Sequence, residues 1–182
     1  YPYMDRPNLT VLSDALVTRV IVDGQRAIGV EIAYGGQLHQ ISAAAEVVLA
    51  LGAINTPKVL MLSGLGDQTE LRDVGVAVRN HLPGVGRNLQ DHTAFDCVWE
   101  YPDNPPPLRN NGSETVVFEK IDPASGTPDI FIWQAEAPLS TPENAAKFGL
   151  PQAGWTLFSA IAHPESRGRI RLSSADPVDS VR

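Results

Sequence analysis

The residues best suited to chemistry lie at positions 52–66, which read GAINTPKVLMLSGLG. The apolar run 46–51 precedes them, ends at a glycine and predicts a buried strand. Thr56 is a residue type that caps helices and Pro57 suits a first helical turn, so a helix is predicted there, ending at Gly64. A strand, a glycine and a helix N-terminus bring backbone N–H groups to a cofactor phosphate. Many α/β proteins have this arrangement without a ligand, and both interpretations stay open.

Other side chains carry weaker chemical signals. His39, His81 and His163 have no carboxylate or cysteine at ligand spacing, so no metal site is predicted. Ser63 has no histidine or acid at a useful spacing, so it gives no evidence for a hydrolase. His92 lies in a glycine-rich segment, where a hydrogen-bonded structural role is favoured over a general base.

Composition narrows the class of protein. A chain of 182 residues, 43% of them hydrophobic, predicts one globular domain or one and part of another. A net charge of −7 without any basic cluster argues against nucleic acid and anionic membranes as partners. No apolar run approaches the ~20 residues of a spanning helix. The single cysteine, Cys97, excludes an internal disulfide and favours a cytoplasmic location.

The first half of the chain predicts a small meander and two helices. Strands are predicted at 8–12, 17–22, 27–34 and 38–43, with turns at Asp23-Gly24 and Gly35-Gly36. A further helical turn is predicted at 70–74, ending at Gly75. Residues 80–92, rich in glycine, predict an extended loop.

The second half predicts an antiparallel sheet. Short strand-like runs separated by Pro, Gly and Asn are predicted at 94–101, 115–120, 129–135, 155–162 and 168–172. Residues 102–112, with four prolines, are the best linker candidate.

Four segments resemble the glucose–methanol–choline (GMC) family of FAD-dependent oxidoreductases, in that family's order. Residues 52–66 are similar to its second signature at every constrained position. The other three are NLTVL at 8–12, LPGVGRNLQDH at 82–92, and SRGRIRL at 166–172 followed by SADP. The resemblance therefore extends from one end of the chain to the other.

The resemblance implies an α+β or α/β fold in two parts. Residues 1–93 would form part of a Rossmann-like FAD-binding domain with a β-meander, lacking the N-terminal GxGxxG turn that holds the pyrophosphate. Residues 94–182 would form part of an antiparallel-sheet substrate domain. The family's catalytic histidine pair would lie beyond Arg182, so no catalytic residue is expected in this chain, which by itself should be inactive.

The implied activity is alcohol oxidation. A hydride would pass from a CH–OH carbon to the flavin of FAD, giving an aldehyde or ketone, and the partners would be a small alcohol and the remainder of the polypeptide. Oxidase and dehydrogenase chemistry both stay open. One alternative is a non-redox FAD protein of the hydroxynitrile lyase kind, and another is a truncated, non-catalytic structural or interaction module.

The resemblance also nominates cofactor-binding residues. Val17 aligns with a family valine whose backbone binds the adenine, although a core strand valine is an equal alternative. Ala50, Gly52 and Ala53 lie where the family's backbone passes close to FAD, and small residues permit such an approach. Tight packing between a strand and a helix explains the same small residues equally well.

Glu100, Trp133 and Gln134 are the predicted substrate-pocket residues. Glu100 follows His92 by eight positions, where choline-oxidising relatives place a glutamate toward the trimethylammonium group, but an exposed edge-strand glutamate is the favoured alternative. Trp133 lies on the strand that faces the flavin in relatives. An aromatic residue there suits an apolar or aromatic alcohol better than choline, with core packing equally possible.

Overall fold

The computed structural model describes residues 2–105, 107, 111–113 and 115–182, and this part forms an α+β fold. Its helices are α1 (Gly52–Leu62), α2 (Gln68–Asp73) and α3 (Pro142–Phe148). Its strands are β1 (Leu16–Asp23), β2 (Arg26–Tyr34), β3 (Gln37–Ser42), β4 (Leu65–Gly66), β5 (Asn80–His81), β6 (Arg87–Leu89), β7 (Ala94–Glu100), β8 (Val116–Glu119), β9 (Ile130–Ala135), β10 (Gly154–Ile161) and β11 (Gly168–Arg169).

The chain folds into two compact units. The first contains the residues up to Leu89 and also Arg167–Arg182, and the second is Gln90–Ser166. The sequence-based boundary after residue 93 lies close to the start of the second unit. Residues 167–182, which the sequence analysis assigned to the second domain, pack in the first.

The prediction of a strand at 168–172 in the second domain is therefore wrong in its length and its place. Only Gly168–Arg169 form a strand, and they pair with β6 rather than with the sheet of the second unit. The two apolar residues that follow, Ile170 and Leu172, are each 5% exposed. They join Met61 and Leu71 in the buried core of the first unit, because burial in that core is the more favourable place for their side chains.

The meander of the first unit is confirmed. β1, β2 and β3 form an antiparallel sheet in that order. The two turns lie where Asp23-Gly24 and Gly35-Gly36 predicted them, and both turns place glycines at positive φ, which glycine adopts without steric cost. Local turn chemistry was sufficient to locate these hairpins.

Two predicted strands are wrong among the described residues. Residues 8–12 and 46–51 form no regular strand, and neither segment pairs with another strand. A strand exists only where a neighbour completes its hydrogen-bond ladder, and apolar composition alone does not provide that neighbour. In 46–51 the alternation of a strand persists, because Val47 and Leu49 are half-buried while Val48 is 75% exposed.

Helix α1 begins four residues before the predicted cap. Thr56 and Pro57 lie inside the helix, whose N-cap is Leu51, so the prediction that they open it is wrong. The Thr56 hydroxyl instead accepts a hydrogen bond from the Leu51 N–H at 3.2 Å. Pro57 costs the helix one backbone hydrogen bond. The predicted end holds, because Gly64 follows the C-cap at φ +83°.

Ser63 joins α1 to the meander. Its Oγ donates to the Val59 carbonyl at 2.6 Å and accepts from the Val20 backbone N–H at 2.8 Å. Ser63 is 4% exposed, so both hydrogen bonds are shielded from water. Its neighbour Gly64 has a close backbone contact, because a Cβ there would meet the Ala77 carbonyl oxygen.

Helix α2 confirms the helical turn predicted at 70–74. Its N-cap is Asp67, whose carboxylate accepts from the backbone N–H groups of Thr69 and Glu70. These hydrogen bonds, that of Glu70 first, hold the pKa of Asp67 below its usual range. The Glu70 carboxylate in turn pairs with Arg87 at 3.0 Å and Arg169 at 3.1 Å, which links α2 to β6 and β11.

The second unit is built on a four-stranded antiparallel sheet in the order β7-β10-β9-β8. Four of the five strands predicted for this sheet are therefore confirmed. Of the predicted linker 102–112, positions 106 and 108–110 lie outside the described residues. Helix α3 begins at Pro142, behind the Thr141 N-cap, and ends before Gly149.

Replacing Ser63 by alanine should destabilise the first unit. The Val20 N–H would remain buried without a partner, which costs about 1–3 kcal/mol. Urea unfolding of the purified variant measures this change in the free energy of unfolding. The matched control is Ser13→Ala at an exposed position, which should stay within about 0.5 kcal/mol of the parent. Equal effects of the two changes would contradict the structural role given to Ser63.

Gly64→Ala and Gly75→Ala separate backbone strain from steric overlap. Both glycines have a φ close to +80°, but the space beside Gly75 is open. Gly75→Ala should cost about 1–2 kcal/mol from the left-handed conformation alone. Gly64→Ala should cost at least about 2 kcal/mol more, since the new methyl overlaps backbone. Thermal or urea unfolding of the two variants measures the loss in the free energy of unfolding. Equal losses in the two variants would show that the close contact at Gly64 does not limit stability.

Candidate functional site

In the first unit, the four predicted cofactor residues lie on β1 and around the start of α1. Val17 is half-buried on β1 and pairs with Ile32 of β2. Ala50, Gly52 and Ala53 are all exposed, on the segment that enters α1. Small side chains and exposure together leave backbone accessible at these three positions.

The buried side chains of Thr18 and Glu31, with the exposed Arg19, hold β1 in place beside Val17. Thr18 donates from its hydroxyl to the Glu31 carboxylate at 2.9 Å, and Arg19 donates to the same carboxylate at 2.7 Å. The hydrogen bond from Arg19, more than that from Thr18, holds the pKa of Glu31 below its usual range. The strand that carries Val17 is thus fixed on its partner by more than backbone pairing.

The N-terminus of α1 is open to a ligand. Among the described residues no side chain caps it, and its first turn contains no acidic residue. Gly52 has φ +78°, and nothing lies within 4 Å of the place where its Cβ would be. Ile54, in the same first turn, is 53% exposed although apolar. Unpaired N–H groups at the positive end of a helix suit an electron-rich or anionic group.

In the second unit, the strand register divides the predicted substrate residues between two faces of the sheet. Trp133 pairs with Phe158, which pairs with Asp96, so these three side chains share one face. Glu100 lies on that face too, four residues further along β7. Gln134 pairs with Leu157 and lies on the opposite face. The structure therefore brings Trp133 and Glu100 onto one face and leaves Gln134 apart.

The face that carries Trp133 contains an aromatic groove at its β8–β9 side. We call it the aromatic groove; its volume is about 650 Å³. Its described lining includes His92, Val116, Phe118, Phe131, Trp133 and His163. The rings form a contiguous series, with centroid separations of 4.9 Å for His92 and Phe131, 6.2 Å for Phe118 and Phe131, and 5.4 Å for Trp133 and Phe158.

His92 has a defined orientation in this groove. Its Nδ1 lies 2.9 Å from the carbonyl oxygen of Ile161. A carbonyl oxygen only accepts, so Nδ1 donates this hydrogen bond, and in the neutral tautomer that donates from Nδ1 the other nitrogen, Nε2, is an acceptor. The ring also packs edge-on against Phe131. The hydrogen-bonded role predicted for His92 is found, in a place where the ring can also meet a ligand.

Glu100 lines a second cavity on the same face, which we call the acidic cavity. It lies between β7 and the region of α3, and its volume is about 650 Å³. Asp96 and Glu100 both line it, together with Phe148. Trp99, which precedes Glu100 in sequence, does not form a cage with it, because Trp99 stacks on Trp155 at 5.7 Å on the opposite face.

Sequence reasoning missed Phe118, Phe131 and Phe158. Along each strand an aromatic or β-branched residue lies two positions from the phenylalanine, as in Val116/Phe118 and Phe131/Trp133. This period-two spacing is the sequence feature that could have indicated a shared sheet face. What the spacing did not show is which strands are neighbours, because the order β10-β9-β8 is a property of the folded sheet.

The described residues contain neither a candidate metal cluster nor a candidate membrane span. Among them no three His, Cys, Asp or Glu side chains cluster closely enough to hold a metal ion. None of the described helices is long and apolar enough to span a membrane.

Comparison with known proteins gives the family. The family described as GMC oxidoreductase matches residues 1–94, and the chain belongs to this family of oxidoreductases. It is 50% identical to human mitochondrial choline dehydrogenase over 92 residues, which is 50% of this chain and 16% of that one. FAD is the cofactor of the family.

Two solved structures show the same fold across nearly the whole chain. Pyridoxine 4-oxidase from Mesorbium loti superposes with a TM-score of 0.82 at 30% identity, covering 99% of this chain and 35% of that one. Formate oxidase from Aspergillus oryzae superposes with a TM-score of 0.81 at 24% identity, covering 98% of this chain and 40% of that one. The chain thus spans well under half the length of each protein with which it is compared here.

The residues of the first unit fit the family cofactor. Ala50, Gly52 and Ala53 are small and exposed, and open space lies beside the Gly52 Cα. The uncapped first turn of α1 offers backbone donors to acceptor atoms of FAD. These features meet the requirements for holding part of such a cofactor.

Proposed function

We propose that the protein is an FAD-dependent oxidoreductase that converts an alcohol to an aldehyde or ketone. The observation that carries the proposal is the family match over residues 1–94, which includes the exposed, glycine-containing entry to α1. When bound, FAD would supply the acceptor for the hydride that leaves the alcohol carbon. The chain covers about a third of the length of its solved relatives, so the activity is proposed for the whole protein.

The two units would contribute different functions. In the first, the backbone at Val17 and at Ala50, Gly52 and Ala53 would bind and orient FAD. In the second, the sheet face that carries Trp133 would exclude water from the alcohol and orient it. We assign no proton transfer to this chain, and we propose that its 182 residues alone are inactive.

Two other functions make different predictions for a single measurement. A hydroxynitrile-lyase-like protein would bind FAD, and no alcohol would reduce the flavin. A structural module would fold without binding FAD. The uncapped N-terminus of α1 favours the FAD-binding proposals over the module, since backbone N–H groups at the positive end of a helix suit an electron-rich ligand group.

The visible absorption spectrum of the purified whole protein should show bound flavin. Anaerobic addition of an alcohol substrate should bleach that band, because the hydride reduces the flavin. The 182-residue chain expressed separately is the control and should show neither effect. A flavin band that survives a broad alcohol screen would favour the lyase alternative, and a colourless, well-folded whole protein would exclude both FAD-binding functions.

Ala53→Asp should weaken FAD binding without weakening the fold. A carboxylate in the first turn of α1 interacts favourably with the helix dipole, so stability should stay equal or rise by about 0.3–1 kcal/mol. The same charge would compete for the backbone donors proposed to meet FAD, and we expect binding to be about tenfold weaker, or about 1.4 kcal/mol. Titration of the flavin-free protein with FAD measures the affinity for the cofactor, and urea unfolding measures the stability of the fold.

The control for this change is Ala45→Asp, also at an exposed position but outside the helix. It should leave FAD binding unchanged. Equal FAD affinity in Ala53→Asp and the parent would show that the N-terminus of α1 does not contact the cofactor.

A further inference from the structure

We propose that the aromatic groove is the substrate site and takes a neutral alcohol that carries an aromatic ring, with Trp133 selecting it. The inference rests on the proposed function for its reaction and adds the class of substrate. It is carried by the arrangement of rings on one face of the second unit, by the absence of carboxylate, ammonium and guanidinium groups from the described lining, and by the location of Asp96 and Glu100 in the acidic cavity.

The groove has the size and chemistry of a small-molecule site. Its volume of about 650 Å³ falls in the range of ligand pockets, about 300–1,000 Å³. Phe118, Phe131 and Trp133 give it flat apolar walls, and rings prefer to pack against other rings in tilted or offset arrangements. A ligand with an aromatic ring would continue the existing series of ring contacts.

The charge of the lining favours a neutral ligand. No carboxylate, ammonium or guanidinium group is among the described residues that line the groove. The carboxylates of this sheet face, Asp96 and Glu100, line the acidic cavity instead. A quaternary ammonium group in the groove would have rings around it but no carboxylate in the described lining to balance its charge.

The groove also offers one oriented polar atom. The His92 ring is held by the hydrogen bond from Nδ1 to the Ile161 carbonyl, and in the neutral ring that makes this bond Nε2 is an acceptor. A hydroxyl on an otherwise apolar ligand needs such an acceptor when it leaves water. A ring with one hydroxyl-bearing carbon matches the sum of these features.

Trp133 has a matched control on the same sheet. Trp99 lies on the opposite face, stacked on Trp155 with ring centroids 5.7 Å apart, and is 52% exposed. Trp133→Ala and Trp99→Ala therefore remove the same side chain from two faces of one sheet. Phe118 is 59% exposed, so Phe118→Ala gives a second groove variant that leaves the core intact.

Ligand-observed NMR titration of the FAD-loaded whole protein with benzamide, a neutral aromatic that is not an alcohol, tests the site without turnover. We expect Trp133→Ala and Phe118→Ala each to weaken benzamide binding about tenfold, through loss of ring burial. Trp99→Ala should stay within about twofold of the parent, because it lies outside the groove. Tetramethylammonium at equal concentration should not displace benzamide.

The same samples are then assayed with benzyl alcohol and with choline, so the two proposals fail separately. The expected result is a value of kcat/KM for benzyl alcohol that falls in parallel with benzamide affinity in the two groove variants. Absence of benzamide binding, as when a chain segment or a second copy covers the groove, overturns the inference. So does displacement by tetramethylammonium, or equal weakening by Trp99→Ala, even if alcohols are oxidised. The expected benzamide pattern without oxidation of any alcohol supports the groove and overturns the proposed function.

Discussion

The alternation of side chains along extended backbone is the constraint on which the candidate sites depend. In the second unit it places Trp133 on one face of β9 and Gln134 on the other. In the first unit the same alternation turns Val47 and Leu49 toward the protein and leaves Val48 and Ala50 exposed. A shift of one residue in the pairing of β9 would exchange its two sets of side chains, so register decides which of them can meet a ligand.

Register is in turn fixed by hydrogen bonds that leave little freedom. In the first unit the buried Ser63 hydroxyl bonds both the end of α1 and the Val20 N–H, so the helix and β1 hold each other at one relative position. In the second unit β10 pairs with β7 and β9 without an irregularity over its length. Unpaired buried backbone groups are costly, so alternative registers of these elements would be less stable.

What could be predicted from the sequence was local. Asp23-Gly24 marked a hairpin because turn chemistry lies within a few residues, and Gly64 marked a helix end for the same reason. The strand predictions at 8–12 and 46–51 were wrong because strand pairing depends on residues that are distant in the sequence. Gln134 was grouped with Trp133, although neighbours in a strand face apart. The start of α1 was missed because Thr56 hydrogen bonds to Leu51 within the helical turn rather than capping it.

The two cavities on one sheet face explain why residue type alone left the substrate undecided. Glu100 near Trp99 and Tyr101 in sequence has the composition of a cation site, yet the register places Trp99 on the opposite face, stacked on Trp155. Considered without its neighbours, Trp133 fits a residue of the hydrophobic core as well as it fits a residue of a substrate pocket. Once β10 lies between β9 and β7, the rings of β8 and β9 line one cavity, and the two carboxylates of β7 line another, which they share with Phe148. The chemistry offered to a ligand therefore depends on which strands are neighbours, and an aromatic surface separated from acid favours a neutral ring over an ammonium ion.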